Sequence, residues 1–573
     1  MLLLSVQKLL LYTSILTQSL AIPTTSDPHF DQQILLEQNA DRDLTRSTSL
    51  FTKLCNGLIE SIWPSYKTSP SSKSSKPRPA PPATYRSRYG DDVVLRFKVK
   101  TEEEALAFAE AVDTLYLDVW EATGDWADVR ISKKVLPSFL TLLPSSMQRS
   151  HTPVITQLSQ AVLESYPVPE NYEHGGHRSG NNMPHDLFFE NYQPLSVIFP
   201  WLRQMASMFP DRTQLFTIGT SYEGRDIPAI SIGIPSDTEE SQEDESRQTI
   251  VIIAGGHARE WISTSTAAYL LRSLLHNFDP ANHHVIEKLL HNYDFVFIPV
   301  LNPDGYEYTW TTDRLWRKNR QDTALPFCRG IDLDRSFPYS WDGDYQRDNP
   351  CSESYAGEHP LQAVEAQRLV DWAKNETESN RRVFAAFIDL HSYSQEILYP
   401  FSYTCDRRPK NLEDLEEIAY GLAKAFRLTS GHHYEVSSAC DGSITLATTA
   451  KTGKQDKVLT RLEESGGSAL DFFYEELRVD YAFQIKLRDT GSYGFLLPKA
   501  HIVPTGMEAF NGFMSLGKWL LGNRGIEGYA GLSSDEIWGK EEEVISNDTS
   551  ASSDSGNDNE IDEDGVWWRR RRR

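Results

Sequence analysis

The chain has 573 residues, a formal net charge of −24 at pH 7 and 39% hydrophobic residues. A chain of this length predicts two or more folded units with connecting segments. The acidic balance argues against a nucleic-acid partner, because such binding requires basic residues that neutralise phosphates.

The N-terminus has the pattern of a secretory signal. One lysine precedes the apolar stretch Leu9 to Leu16, and small residues follow at Ser19 to Ala21. We interpret residues 1–21 as a signal peptide, because the segment is too short and too polar for a membrane span. Asn375 and Asn547 stand in Asn-X-Thr acceptor patterns, which fit a glycoprotein on the secretory route. No later segment reads as a transmembrane helix.

The five cysteines are compatible with disulfides, because an exported protein meets an oxidising environment. Pairing by proximity along the chain joins Cys328 to Cys351 and Cys405 to Cys440, although the sequence leaves other pairings open. Cys55 is then the unpaired thiol.

The first folded unit follows a polar segment. Residues 22–88 contain a Ser/Pro/Lys-rich stretch and predict a disordered linker. In residues 89–165, Val93–Val99 alternates like a strand, Glu102–Tyr116 has helical periodicity and Asp118–Trp120 returns to an extended pattern. This order predicts a small α/β open sandwich.

The second unit is the larger one. Residues 166–187 are polar and predict an exposed connection, and residues 188–521 alternate between strand and helix patterns. Within them, Leu195–Met208 has helical spacing. This alternation favours an α/β fold with a mixed, mostly parallel sheet flanked by helices. Residues 522–573 predict a disordered acidic tail with a basic tip.

A metal half-site follows one strand of the large unit. The apolar run Thr249–Ala254 reads as a buried parallel strand, and Gly255 and Gly256 then allow a sharp turn. His257 and Glu260 are three residues apart where a helical pattern begins, so one turn can direct both side chains to the same point. An imidazole and a carboxylate at a strand end are plausible zinc ligands.

A third ligand follows another strand. Phe384–Leu390 reads as a buried strand, and His391 comes just after it. Because parallel strands end at the same edge of a sheet, His391 can meet His257 and Glu260 there. The three ligands would bind zinc and leave one coordination position open.

Eight short segments carry a family pattern between residues 188 and 521. In chain order they are Tyr222–Arg225, His257–Trp261, Asn302–Gly305, Arg314–Lys318, Cys328–Arg335, Cys351–Glu353, His391–Gln395 and Leu487–Pro498. Together they resemble the carboxypeptidase A/B family of zinc metallocarboxypeptidases. The small unit is similar to the propeptide of that family, which covers the mouth of the active site until it is cleaved.

The resemblance implies roles for individual residues. It assigns His257, Glu260 and His391 as the zinc ligands, and it matches Cys328 and Cys351 to a family disulfide. It also matches five positions of the substrate site. Arg317 would polarise the scissile carbonyl, Arg335 would bind the C-terminal carboxylate of a substrate, and Arg259, Ser392 and Tyr393 would line the groove.

Lys486 is the main departure from the family pattern. The catalytic glutamate of the family directly precedes the Leu-Arg-Asp-Thr-Gly segment, and this chain has Lys486 there. Strand alternation places Gln484, Lys486 and Arg488 on one face of the strand and Tyr481, Phe483, Ile485 and Leu487 on the other. Lys486 should therefore project toward the metal, where the base of the family lies. An ammonium cannot accept the proton of a metal-bound water. A nearby zinc ion could lower the lysine pKa, so a neutral amine base is the alternative.

Two further departures concern substrate binding. Asp334 stands where the family usually has asparagine, and its charge would repel the carboxylate that Arg335 attracts. The mobile tyrosine of the family is missing, because Leu462 falls at its spacing within the charged insertion Lys451–Glu464. The resemblance places the specificity position near Ala469 and Leu470; neither of these two residues is acidic, so they indicate no preference for basic side chains.

These observations favour a zinc-binding, catalytically inactive metallocarboxypeptidase homologue. The chain most resembles the fungal inactive members that are associated with cell-wall organisation and are secreted or vacuolar. The alternatives are an active zinc carboxypeptidase with an unusual base, and a module that binds peptide tails. We expect a monomer whose partners are peptide C-termini or cell-wall components.

Overall fold

The computed structural model describes residues 88–123, 126–167, 184–234, 247–276, 284–341, 349–442 and 466–522. Four predicted features lie outside these ranges: the signal peptide, nearly all of the linker, most of the connection and nearly all of the tail. Cys55, Leu462 and Asn547 also lie outside these ranges. The described residues all belong to one compact unit.

The described part of the chain contains two sheets and the helices that cover them. The strands are β1 (Asp92–Lys98), β2 (Asp118–Ala122), β3 (Trp126–Ser132), β4 (His151–Ile155), β5 (Thr213–Thr220), β6 (Asp226–Ile232), β7 (Arg247–Ala254), β8 (Tyr293–Ile298), β9 (Arg382–Ser392), β10 (Glu396–Tyr399), β11 (Glu435–Ser438) and β12 (Tyr481–Leu487). The α-helices of at least seven residues are Glu102–Leu115, Leu136–Leu142, Leu158–Ser165, Leu195–Met208, Trp261–His276, His284–Asn292, Pro303–Thr311, Val364–Glu378, Leu412–Ser430 and Ile502–Leu520. No helix within the described ranges is both long and apolar enough to cross a bilayer.

The first four strands form a small antiparallel sheet in the order β2-β3-β1-β4. Its core joins β1 to two helices through three buried rings. Phe97 lies 5.5 Å from both Phe108 and Phe139, measured between ring centroids. The helix Glu102–Leu115 begins at Thr101, whose hydroxyl accepts a hydrogen bond from the Glu104 amide and so caps the first turn. This unit is the small α/β sandwich that the sequence predicts, although the domain boundaries themselves stay predictions.

The other eight strands form one mixed sheet in the order β11-β10-β12-β9-β7-β8-β6-β5. Four of its seven strand pairs are parallel. The central strands β7, β8 and β9 are almost wholly buried, because helices cover both faces of the sheet. The predicted fold class is therefore confirmed.

Two adjacent parallel strands bring the candidate metal ligands together. β7 pairs with β9 in a register that places Ala254 opposite Leu390. β9 is longer than predicted, so His391 belongs to the strand itself. The helix after β7 begins only at Trp261, so His257 and Glu260 lie on the preceding turn and not in a helix. The two strand ends therefore direct all three side chains to one edge of the sheet.

Gly255 makes the turn after β7 possible. Its φ of +65° lies in the left-handed region, and an added Cβ would come 2.9 Å from the Thr264 hydroxyl and 3.3 Å from the Pro299 carbonyl oxygen. A side chain there would therefore be strained and would clash with its neighbours. The adjacent Gly256 has open space around its Cβ position.

Candidate metal centre and substrate groove

His257, Glu260 and His391 form a compact buried cluster of ligand atoms. The Nδ1 atoms of the two histidines are 3.0 Å apart. Glu260 places Oε1 2.8 Å from His257 Nδ1 and Oε2 3.1 Å from His391 Nδ1. All three side chains are at most 6% exposed. These are the groups, and the number of groups, that zinc takes in a catalytic site with one open position.

The charge of Glu260 suits a metal ligand. Burial opposes its negative charge, but the two histidines outweigh burial and hold the pKa of Glu260 well below its usual range. The backbone amide of Ser392 also donates a hydrogen bond of 2.9 Å to Glu260 Oε2. The donor set therefore fits the predicted zinc centre.

Two further carboxylates support the histidines from behind. Asp332 Oδ1 lies 3.1 Å from His257 Nε2, and Asp389 Oδ2 lies 3.1 Å from His391 Nε2. A carboxylate on this side of an imidazole favours a proton on Nε2, which leaves the Nδ1 lone pair directed at the cluster. Asp332 also accepts hydrogen bonds from Nε and Nη2 of Arg317, at 3.1 and 2.8 Å. Asp332 thus links one candidate ligand to the predicted oxyanion residue.

Lys486 lines the same cavity as the three candidate ligands, at one end of β12. Its register partner on β9 is His391. The ammonium lies 3.2 Å from Glu121 Oε1 and 3.0 Å from Glu396 Oε2, and its side chain is 12% exposed. Glu396 lies opposite Lys486 on β10, whereas Glu121 comes from β2 of the small sheet.

These two carboxylates decide the protonation state of Lys486. Burial alone would lower the lysine pKa, but the charges of Glu121 and Glu396 outweigh burial and raise the pKa of Lys486 above its usual range. The described residues around Lys486 therefore favour an ammonium ion, which opposes the alternative of a neutral amine base.

Asp334 and Arg335 lie side by side in the lining of the cavity. Asp334 accepts a hydrogen bond of 3.1 Å from the Gln484 amide, and its other oxygen, Oδ1, has no hydrogen-bond partner among the described residues. The carboxylate that departs from the family pattern is thus held at the predicted carboxylate-binding position. Arg488, predicted on the same strand face as Lys486, lies beyond the end of β12 and pairs with Glu508 instead.

Arg259 and Tyr393, which were predicted to line the groove, contact the small sheet. Arg259 is fully buried, and its Nη1 donates to both oxygens of Asp118, at 2.9 and 3.2 Å. The Tyr393 hydroxyl donates a hydrogen bond of 2.9 Å to Asp128. Ser392 also lines the cavity, and its hydroxyl makes no hydrogen bond to a described residue. Residues of β2 and β3 therefore cover the predicted groove at Arg259 and Tyr393.

Several residues of the site were absent from the sequence prediction. Asp332 could have been found, because it lies two residues before Asp334 in a segment that was matched to the family. Asp389 lies in a strand that reads simply as buried, and Glu396 follows a matched segment by one residue. Asp118 and Glu121 come from the small sheet, and no local pattern indicates which groove residues they would meet.

Both predicted disulfides are present, Cys328–Cys351 and Cys405–Cys440. The first connects segments of chain that flank the groove lining at Arg335. Asn375, one of the two predicted glycosylation positions, is exposed on the helix Val364–Glu378. Whether it carries a glycan stays a prediction.

Comparison with known proteins places this geometry in a family. A family model described as zinc carboxypeptidase matches residues 198–512. The chain is 50% identical over 530 residues to a protein of Paracoccidioides brasiliensis named inactive metallocarboxypeptidase ECM14, covering 91% of this chain and 86% of that protein. It is 48% identical to a protein of the same name from Uncinocarpus reesii, covering 90% of this chain and 88% of that protein.

Solved structures give the same fold. Thrombin activatable fibrinolysis inhibitor is matched with a TM-score of 0.60 at 25% identity, over 76% of this chain and all of the other. Carboxypeptidase A from Helicoverpa armigera is matched with a TM-score of 0.61 at 22% identity, over 75% of this chain and 97% of the other.

The chain belongs to the zinc carboxypeptidase family. The relatives at about 50% identity confirm the further prediction of a catalytically inactive metallocarboxypeptidase homologue.

Proposed function

We propose that this protein binds zinc at His257, Glu260 and His391 and is inactive because Lys486 occupies the position of the catalytic base. One observation carries the proposal: the Lys486 amine lies between two carboxylates that are at most 10% exposed, and these favour its protonated form. The metal ligands are therefore retained, while the group that should accept a proton has become a cation.

The consequence for hydrolysis follows from the missing proton acceptor. Bound zinc would supply Lewis acidity, which polarises a carbonyl and acidifies a water molecule. Arg317 lines the same cavity and is held by Asp332, and in this proposal its guanidinium would stabilise an oxyanion. A general base must be unprotonated and within reach of the water, and its loss costs about 10²–10⁴-fold in rate. Glu121 and Glu396 do not replace it, because both are paired with Lys486.

The same groove supports a weak affinity for peptide C-termini. Arg335 is a planar donor suited to a terminal carboxylate, as in the family pattern. Asp334 places a negative charge beside it, so attraction and repulsion oppose each other at this position. We therefore propose peptide tails as a low-affinity ligand class, with cell-wall components as the alternative that the family resemblance suggests.

We also propose a location outside the cytosol, secreted or vacuolar. The two disulfides support an oxidising compartment, and the exposed Asn375 fits an N-glycosylation site. A monomer and a role in cell-wall organisation are proposals of the same kind.

The test combines metal analysis with an activity assay. Zinc content is measured in the purified protein, and hydrolysis is followed on peptides with free and with blocked C-termini. We expect about one zinc per chain and no release of C-terminal residues above a chelated control. Absence of bound zinc would overturn the metal assignment, whereas zinc-dependent turnover would overturn the role of Lys486.

A further inference from the structure

The small sheet meets the groove with three acidic side chains. Asp118 and Glu121 lie on β2 and Asp128 on β3. Across the groove, Asp118 pairs with Arg259 and Glu121 pairs with Lys486. Asp128 accepts a hydrogen bond from the Tyr393 hydroxyl. Residues that the family pattern assigns to substrate are thus engaged by residues 88–165, which we call the cover domain.

The contact around Lys486 depends on the residue that replaced the catalytic glutamate. The side chains of Glu121 and Glu396 are only 10% and 7% exposed, so two carboxylates share a poorly solvated place. Lys486 lies within 3.2 Å of each and compensates their charge. A glutamate at position 486 would instead bring three carboxylates together, which burial makes unfavourable. The substitution that removes the base therefore creates an attachment point for the cover domain.

Apolar packing surrounds this polar contact. Trp120, 4% exposed, lies between the two charged residues of β2 and packs on Phe495 with ring centroids 5.2 Å apart. Gly494 admits the indole, because an added Cβ would come 2.9 Å from it. Other members of the cover domain belong to the same hydrophobic core as the large sheet. They are Tyr89, Val94, Ile155, Leu158 and Val162.

The two ends of the cover domain are anchored as well. At one end, Arg88 donates a hydrogen bond of 2.8 Å to Asp313, which also accepts one from the Tyr89 hydroxyl. At the other end, the hydroxyl of Ser165 accepts a hydrogen bond of 3.1 Å from buried Arg314. The contact with the large domain therefore extends from the first described residue of the cover domain to its last helix.

We propose that the cover domain is a permanent part of the folded protein, which stays bound after its connection to the large domain is cut, with the Glu121–Lys486 pair as its central polar attachment. This attachment of the cover domain does not require bound zinc. In this chain the cover domain would therefore remain in the groove as a bound ligand.

The test uses the full chain with a specific protease site inserted between residues 168 and 183. After complete cleavage, the wild-type fragments should co-elute in size-exclusion chromatography at sub-micromolar concentration. Lys486→Glu should raise the dissociation constant of the two fragments by about thirtyfold or more, because a buried charge loses its partner. Lys374→Glu is the matched control, since Lys374 pairs with Glu476 at a half-exposed position away from the cavity lining, and it should leave association unchanged.

A charge-exchange variant separates loss of the pair from loss of folding. Lys486→Glu combined with Glu121→Lys again places one ammonium between two carboxylates, and it should recover most of the lost affinity. Separation of the wild-type fragments on cleavage would overturn the permanence of the cover domain. The role of the Glu121–Lys486 pair would be overturned if the fragments of Lys486→Glu bound each other as tightly as those of wild type. It would also be overturned if the double variant recovered no affinity although the single and the double variant both unfold cooperatively.

Discussion

Asp389 places a carboxylate oxygen 3.1 Å from Nε2 of His391, on the side of the ring opposite the Nδ1 atom that faces Glu260. Asp332 occupies the corresponding place beside His257 and makes a hydrogen bond of 3.1 Å with its Nε2, whereas the contact of Asp389 with His391 is an ion-pair contact without hydrogen-bond geometry. Each candidate histidine ligand is therefore flanked by a carboxylate that favours one tautomer and one ring orientation.

Asp389→Asn should weaken zinc binding without abolishing it. The amide keeps the shape of the carboxylate but loses its charge, so the ligand becomes less basic, and losses of this kind are about 10- to 100-fold in metal affinity. Competition with a chromogenic chelator measures the effect directly. Asp371→Asn, at a half-exposed helical position, is the control and should bind zinc like wild type. Unchanged affinity in Asp389→Asn would contradict the role of Asp389.

Gly255→Ala should destabilise the fold and weaken zinc binding together. The added methyl group meets the Thr264 hydroxyl at 2.9 Å on a backbone with φ of +65°, and this turn carries His257. We expect a loss of about 1–3 kcal/mol in the free energy of unfolding. Denaturant unfolding with and without zinc measures both effects. Gly256→Ala is the paired control, because open space surrounds that position, and equal losses in the two variants would contradict the strain argument.

The fold and the metal centre could be predicted from sequence because their signals are local. Buried strands such as β7 and β9 appear as apolar runs, and parallel strands end at one edge of a sheet, so the meeting of His257 with His391 followed from topology. The main local error was the helix start, since the turn after Gly255 continues to Trp261 before helical hydrogen bonds begin.

The surroundings of Lys486 could not be predicted in the same way. The sequence indicated that a cation had replaced a base, but its neighbours Glu121 and Glu396 lie 365 and 90 residues away along the chain. Their meeting with Lys486 depends on how the cover domain packs and on the order of strands β10 and β12. The direction of the lysine pKa therefore needed the tertiary structure.

Lys486→Glu alone should not restore ordinary peptidase activity. Asp334 would still oppose a terminal carboxylate beside Arg335, and the new glutamate would face Glu121 and Glu396. We expect hydrolysis to remain about 100-fold below the level reached when Asp334→Asn is added, because placing like charges side by side costs several kcal/mol. Initial rates on a free-C-terminus peptide, measured with the zinc-loaded, cleaved protein, provide the comparison. Full activity in the single variant would mean that the base was the sole defect.

Attachment of the cover domain should strengthen as the pH falls. Burial raises the pKa of Glu121 to about 7 in the attached state. The charge of Lys486 lowers this pKa and the charge of Glu396 raises it, but burial is the largest effect. The released glutamate has a pKa near 4.5. Attachment therefore takes up a proton between pH 4.5 and 7, and affinity should rise by up to about tenfold per pH unit on acidification in that window. The Lys486 ammonium is then hydrogen-bonded to a neutral Glu121 and remains ion-paired with Glu396. Burial raises the pKa of Asp128 as well, which acts in the same direction.

Fragment association at pH 5.5 and at pH 8 measures this dependence. In Glu121→Gln the affinity of the fragments should depend less steeply on pH, because the neutral amide has no proton to take up. Asp128 should account for the remaining pH dependence. A wild-type affinity that falls on acidification would contradict the assignment.

The protonation state of Lys486 in the zinc-loaded protein tests the central claim most directly. Lysine side chains labelled with ¹³C at Cε report their charge by NMR, and the signal missing from Lys486→Met identifies the residue. The account predicts that this signal shows no titration up to about pH 10, because Glu121 and Glu396 hold the ammonium form. A titration midpoint near neutral pH would show a neutral amine available as a base and would contradict the account.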